Sequence, residues 1–227
     1  TIQSKIESGK YFEIVDYLKI INTNIFRNLN LGIDPSLFTS KQIKKFFLKN
    51  NKITLIQENL VDKISKTQNK KRFSFYSIKE TIAGESHHKK ISKVSSFLKK
   101  NNYDYLFITA PENVAWLLNI RGHDNPTSPI PNSNLLLTKE KNIFLIVEKN
   151  KTTKLISEKK IRQNQIIDPK NISNFFYKLK SGTILLDEKT CSLYLEKVIE
   201  KKFKITKKED PIYILKSLKN DTEINNM

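Results

Sequence analysis

The sequence predicts an α/β protein of two similar units, each a mixed β-sheet flanked by helices, with the first unit truncated. Three observations predict it. Apolar runs of period two alternate with stretches of helical period along the 227 residues. Two neighbouring runs near the middle read as a β-hairpin, which adds antiparallel pairing to a strand–helix–strand order. One pattern occurs twice, and internal repeats are the strongest organisational signal a single sequence carries.

The first copy begins with the apolar pattern of residues 1–6 and 12–16. Residues 31–34 read as a strand ending on Asp34. A Thr39/Gln42 capping box then opens a helix whose apolar face carries Ile43, Phe46 and Phe47, and residues 52–56 form a second strand. The second copy repeats this order. Residues 152–156 and 165–168 match its beginning, and Leu185 and Leu186 run into Asp187. A helix with Leu195, Val198 and Ile199 on one face follows, then a strand over 203–206. From Asp34 to Ile53 is 53−34 = 19 positions and from Asp187 to Ile205 is 205−187 = 18. Each copy then enters an Asn or Asp turn with an apolar tail, at Asn59 and at Asp210.

If residues 1–66 repeat residues 151–217, the first copy lacks a counterpart of 86–150, about 65 residues counted as 150−86+1. That piece holds a helix over 86–100 with Ile91, Val94 and Leu98 on one face, and a strand over 103–108. A second helix follows, with Thr109 as N-cap, Glu112 reaching back to it and Pro111 in the first turn. A hairpin from 134–138 and 142–148 completes it. The expected organisation is residues 1–66 as the end of a first domain, 67–84 as a polar, Lys-rich linker, 85–210 as a second domain, and 211–227 as the start of a further module. The chain starts at Thr1 without Met and stops within what reads as a helix start at Asn220, so both ends are expected to be cut.

Composition narrows the function classes. The 38% hydrophobic content can build a real core. No run approaches the roughly 18 uninterrupted apolar residues of a membrane helix, and no leader pattern opens the chain, so no membrane partner and a cytoplasmic location are expected. The formal charge of +18 invites a nucleic-acid reading, yet only four of 41 basic residues are Arg: Arg27, Arg72, Arg121 and Arg162. Phosphate and base-edge readout leans on the arginine fork, so the Lys excess reads as a compositional bias and nucleic acid is not an expected partner. The densest basic cluster, 66–72, reads as a solvated linker. The single cysteine, Cys191, cannot form an internal disulfide and reads as packing on a helix, which fits a reducing compartment.

The chemistry-bearing stretch is APENVAWLLNIRGHD, residues 110–124, followed by Pro126, Pro129 and Pro131. Val114, Ala115, Leu117 and Leu118 make an apolar helix face. Beyond them, alternation sends Asn119, Arg121 and His123 to one side of an extended segment, and Gly122 permits a turn. The prolines cannot donate to a sheet ladder, so the segment is expected to run as an edge or polyproline-like strand along a surface. In one reading Arg121 and Asp124 pair with each other or cap neighbouring backbone. In the other, Asn119, Arg121, His123 and Asp124 rim a cleft: Asn supplies a donor and an acceptor, Arg an anion-binding fork, and Asp a clamp for an amine. His87, His88 and His123 lack the spacing of a metal cluster, and His87 and His88 read as the solvated start of a helix. No GxSxG, P-loop or HExxH occurs, so no catalytic residue is assigned to this chain.

Residues 110–124 with Pro129 and Pro131 closely resemble the second domain of the three-domain Xaa-Pro aminopeptidases, the aminopeptidase P family. The stretch at 59–64 resembles that family's exit from its first domain, and 211–224 its entry into the catalytic domain. The resemblance implies that both units are ribonuclease-H-like, creatinase N-terminal-like domains. It also implies an activity: release of the N-terminal residue from peptides with proline in second position, by two divalent ions, usually manganese. Those ions belong to a C-terminal "pita-bread" domain, and none is bound by this chain. The chain is thus expected to be inactive alone, to wall and gate the substrate cleft, and to belong to a homodimer when whole. The alternative is a free-standing, non-enzymatic module of the same fold. The sequence departs from the family over 65–77, which is Lys-rich and Pro-free where the family places a Trp and prolines.

Overall fold

The computed structural model describes residues 27–47, 50–56, 59–64 and 73–226. The expected elements within residues 1–16 and the basic cluster at 66–72 lie outside them. The described part of the first unit is a parallel strand pair with its crossover helix. Strand β1 (Asn30–Ile33) pairs β2 (Lys52–Leu55) in the register Asn30↔Lys52 to Ile33↔Leu55. Between them α1 (Ser40–Phe46) starts at Thr39, whose capping box with Gln42 is formed on both sides. Helix α2 (Leu60–Ile64) follows.

The second unit runs through β3 (Tyr76–Ser77), α3 (Glu80–Ala83), α4 (His87–Lys100), β4 (Tyr105–Ile108), α5 (Pro111–Leu118) and β5 (Ile120–Arg121). It continues with β6 (Asn134–Thr138), β7 (Ile143–Ile146), α6 (Thr153–Ser157), β8 (Ile166–Ile167) and α7 (Ile172–Lys178). The last elements are β9 (Thr183–Leu186), α8 (Leu193–Glu200), β10 (Lys204–Lys207), α9 (Ile212–Ser217) and α10 (Asp221–Asn225). Six strands form one sheet in the order β10-β9-β4-β6-β7-β8. Pairing is parallel from β10 through β9 to β4, antiparallel across β4, β6 and β7, and parallel again from β7 to β8. The hairpin expected from the sequence is therefore the antiparallel middle of a mixed sheet.

Both sheet faces are covered, and the side-chain period of two assigns each residue to a face. Leu106, Ile108, Leu135 and Leu137 join Val94, Leu98, Val114 and Leu117 in one core cluster beneath α4 and α5. Tyr105, Phe107, Leu136, Ile184 and Leu186 join Ile172, Phe176 and Ile199 in the other, beneath α7 and α8. Leu135, Leu136 and Leu137 are fully buried, and each contributes about 1.5–3 kcal/mol relative to an exposed position.

The repeat holds at atomic level. Asp34 Oδ1 accepts from the Ser36 N–H at 2.8 Å, and Asp187 Oδ1 accepts from the Lys189 N–H at 2.8 Å. The other carboxylate oxygens reach the ends of the units: Asn59 Nδ2 donates to Asp34 at 3.1 Å, and the Asp210 N–H donates to Asp187 at 3.2 Å. The two equivalent turns also meet. Thr39 and Ser192, the N-caps of α1 and α8, form an antiparallel bridge. The Leu193 and Tyr194 N–H groups donate to the carbonyls of Phe38 and Pro35 at 2.8 and 2.9 Å, and Ser40 Oγ donates to Glu196 at 2.8 Å.

Four local expectations change. From Phe73 onward, the stretch read as a linker is built into the second unit: Phe75 is fully buried in the core beneath α4 and α5, and β3 pairs with β5. Helix α5 starts at Ala110 without a side-chain cap; Thr109 Oγ1 faces Thr190 Oγ1 at 2.7 Å and Glu112 accepts from the Tyr213 hydroxyl at 3.0 Å. Partners brought in by the fold thus replaced the local box. Cys191 precedes α8 at the strand-to-helix turn, fully buried, its thiol pushed up to about 12, chiefly by burial. His87 is 9% exposed rather than solvated.

Candidate functional site

The site begins where α5 stops. Asn119 takes the left-handed conformation, φ 52° and ψ 51°, which Asn tolerates better than most residues and which turns the chain out of the helix. The residue is 3% exposed and both ends of its amide are bonded: Nδ2 donates to the Glu85 carbonyl at 2.8 Å, and Oδ1 accepts from Lys90 Nζ at 2.7 Å. Its carbonyl accepts from the Ile78 N–H at 2.8 Å, which opens the β3–β5 ladder, where Tyr76 lies opposite Arg121.

Gly122 sits where no side chain fits. A Cβ there would stand 2.9 Å from the Phe75 ring and 3.0 Å from the Pro131 backbone. The prolines do not make the expected edge strand. The Gly122 N–H donates to the Pro129 carbonyl at 2.9 Å, and Asn125 and Ser128 form a bridge, so residues 122–131 double back as a turn. Asn125 Oδ1 closes that turn by accepting from the Thr127 N–H and hydroxyl at 3.1 and 2.9 Å.

The four candidate residues separate into different environments. Asn119 faces inward. Asp124 does not pair with Arg121: its carboxylate takes Lys151 Nζ at 2.7 Å and the Asn132 N–H at 2.7 Å, and so orients the loop. His123 is exposed, stacked on Tyr76 at 5.4 Å with an edge contact to Phe73 at 5.7 Å. Arg121 is half-buried, and its hydrogen bond is Nη1 to the Ile120 carbonyl at 2.9 Å. No carboxylate lies within ion-pair distance of it among the described residues. Burial lowers its pKa, Tyr76 opposing, and a guanidinium keeps its charge across the working range of pH. A partly desolvated fork with no carboxylate in ion-pair distance among the described residues can take a carboxylate or a polarised carbonyl oxygen.

Elsewhere, the His87 and His88 rings lie 3.9 Å apart, tilted by 38°, and His87 Nδ1 lies 3.0 Å from Lys160 Nζ. Burial first, then Lys160, His88 and Lys90, pull the His87 pKa down to about 4. Among the described residues no three His, Cys, Asp or Glu side chains are grouped to hold a metal ion, and no helix is long and apolar enough to cross a membrane.

The sequence profile of the creatinase/prolidase N-terminal domain matches residues 65–223. The chain belongs to that family. This creatinase/prolidase N-terminal domain is 27% identical over 215 residues to the Xaa-Pro aminopeptidase ApepP of Drosophila melanogaster, covering 88% of this chain and 34% of that protein. It is 25% identical over 230 residues to Xaa-Pro aminopeptidase 1 of Dictyostelium discoideum, covering 90% of this chain and 35% of that protein. Its fold matches the X-prolyl aminopeptidase of Caenorhabditis elegans, described as a cytosolic enzyme with a di-nuclear active site. The TM-score is 0.73 at 22% identity, over 96% of this chain and 37% of that one. The chain thus spans about a third of the length of these relatives.

Lys90 is the residue that sequence reading missed. It lies on the inward stripe of α4 with Ile91, Val94, Ser95 and Leu98 and is 1% exposed. A charge one step from Ile91 and four from Val94, inside an apolar helical period, was the available signal.

Proposed function

We propose that this chain is the non-catalytic N-terminal portion of a Xaa-Pro aminopeptidase, a hydrolase that releases the N-terminal residue from peptides with proline in second position. Its part is to wall and gate the substrate cleft and to support assembly of a cytoplasmic homodimer. The described residues do not fit a metal pair, so the two divalent ions, manganese in this reading, and the hydrolytic step belong to a catalytic module that residues 211–227 begin. Supporting this are the names of the relatives, the match over nearly the whole chain, and the third of their length that it spans.

The observation that carries the cleft role is Arg121. A half-buried guanidinium held in a loop fixed by Asn119, Gly122 and Asp124, with no carboxylate in ion-pair distance among the described residues, is preorganised for an anionic or carbonyl oxygen from outside. His123 on its Tyr76 shelf forms the outer edge of the same rim.

The decisive experiment compares residues 1–227 with the intact protein on Xaa-Pro peptides and added Mn²⁺. Turnover by the fragment, or none by the intact protein, overturns the reading. Arg121→Ala in the intact enzyme is expected to lower kcat/KM on the order of tenfold to a hundredfold, about 1.4–2.7 kcal/mol of transition-state stabilisation. An unchanged kcat/KM removes Arg121 from the cleft.

A further inference from the structure

The Lys90 ammonium is buried without a carboxylate in ion-pair distance among the described residues. It donates to Asn119 Oδ1 at 2.7 Å and to the Trp116 carbonyl at 3.1 Å, and lies 4.1 Å above the Trp116 ring. Three acceptors of different kinds, an amide oxygen, a carbonyl at the end of a helix that also takes the Asn119 N–H at 3.3 Å, and an aromatic face, converge on one ammonium. Each favours a cation, and the carboxyl end of α5 adds the negative pole of its dipole. Simple packing does not call for this arrangement, because an apolar side chain in the stripe of α4 avoids the desolvation of a charge.

The two residues that Lys90 grips, Trp116 and Asn119, set how the chain leaves α5. Asn119 also reaches Glu85, next to Gly84. Gly84 has φ 69°, and a Cβ there would stand 2.2 Å from Asn220 Oδ1; Asn220 Nδ2 donates to the Ala83 carbonyl at 3.0 Å. Helix α10, which starts at Asn220, is thereby held against the same turn. Lys90 stands where the helix end, the Arg121 loop and the carboxyl-terminal helix meet.

We propose that Lys90 is a positioning residue: by holding the Asn119 side chain and the end of α5, it fixes where Arg121 presents its guanidinium relative to the carboxyl-terminal helix. Its consequence for catalysis rests on the cleft reading above, but its action on Arg121 is a property of this chain alone.

The charged groups around Lys90 are Glu223 from α10, Glu85 before α4, Arg121 from β5, Lys160 after α6, and His87 on its own helix. Burial outweighs the two glutamates and lowers the Lys90 pKa from 10.5 to about 8. Deprotonation weakens all three contacts at once.

The first test follows backbone amide resonances of residues 1–227 through that pH range. Asn119, Arg121 and Gly122 are expected to shift with one midpoint near 8, together with the emission of Trp116, the chain's only tryptophan. In Lys90→Met the transition should vanish. If Lys90→Met does not fold, the wild-type titration decides: amides of Arg121 and Gly122 that stay still while Trp116 titrates overturn the proposal, as does the absence of any transition.

The second test is a double-mutant cycle in the intact enzyme. Lys90→Met is expected to lower kcat/KM on the order of tenfold, and to add little once Arg121 is Ala. Full additivity of the two losses overturns the coupling, whereas an inactive wild-type enzyme defeats the cleft reading and leaves the amide titration to judge Lys90.

Discussion

Phe75→Ala tests whether residues 73–84 are part of the second unit's core. Phe75 is fully buried, its N–H donates to the Lys151 carbonyl at 2.7 Å, Lys151 Nζ lies 5.7 Å from its ring, and Gly122 rests on its edge. Truncating a fully buried Phe removes its transfer free energy and leaves a cavity, together about 3–5 kcal/mol. The hole cannot collapse easily, because Phe75 sits at the start of the β3–β5 ladder with the backbone of Gly122 against its ring. For a chain of this size about 2–4 °C is lost per kcal/mol, so the melting temperature should fall by roughly 6–20 °C. Phe75→Leu, which keeps most of the volume, should cost under about 1.5 kcal/mol. Urea unfolding followed by circular dichroism and Trp116 emission gives the values. A loss below about 0.5 kcal/mol for Phe75→Ala, the size of an ordinary surface substitution, would mean that Phe75 is not core and that the segment is a tether.

Cys191, fully buried with its thiol pushed up to about 12, should resist a disulfide reagent in the folded chain and react as one thiol per chain after unfolding. Fast labelling of the native protein would contradict that burial. His87, held near 4 against an ordinary 6.5, stays neutral in the folded chain while the unfolded chain takes up a proton. The unfolded state therefore binds more protons as pH falls, and stability should decline from about pH 6.5 towards 4. Urea midpoints measured across that window should slope less in His87→Gln; an unchanged slope, or a His87 resonance titrating near 6.5, counts against the buried ring.

The repeat was legible because its signals are local. Asp34 and Asp187 each bind the N–H two residues on, and Thr39 caps α1 through a residue three positions away, so short spacings encode the contacts. The apolar stripe of α4 and the 134–138/142–148 hairpin were legible for the same reason, since periods of 3.6 and 2 are written in the order of residues. The capping box at Thr109 failed for the complementary reason. Its two members found partners 81 and 101 positions away, at Thr190 and Tyr213, and nothing near residue 109 announces them.

The candidate site divides along the same line. Asn119, Arg121, His123 and Asp124 stood out as a polar run with a glycine after an apolar helix. Their separation into an inward amide, a half-buried guanidinium, a stacked imidazole and a carboxylate taken by Lys151 depends on β3, α4 and the segment around residue 151. Polyproline logic pointed to an extended edge, but the segment instead closes on itself as a turn, with the Gly122 N–H bonded to the Pro129 carbonyl seven positions on.

By itself the sequence determined the two-fold repeat, the order of strands and helices, and the family resemblance, because these rest on periodicity and on residues close together along the chain. That Phe75 is core, that Lys90 is a buried cation gripping Asn119, and that Arg121 has no carboxylate in ion-pair distance among the described residues followed from the fold alone. Burial and charge pairing are sums over neighbours from distant segments, and those neighbours exist only once the fold has brought β3 to β5, α4 to the end of α5, and α10 to α3.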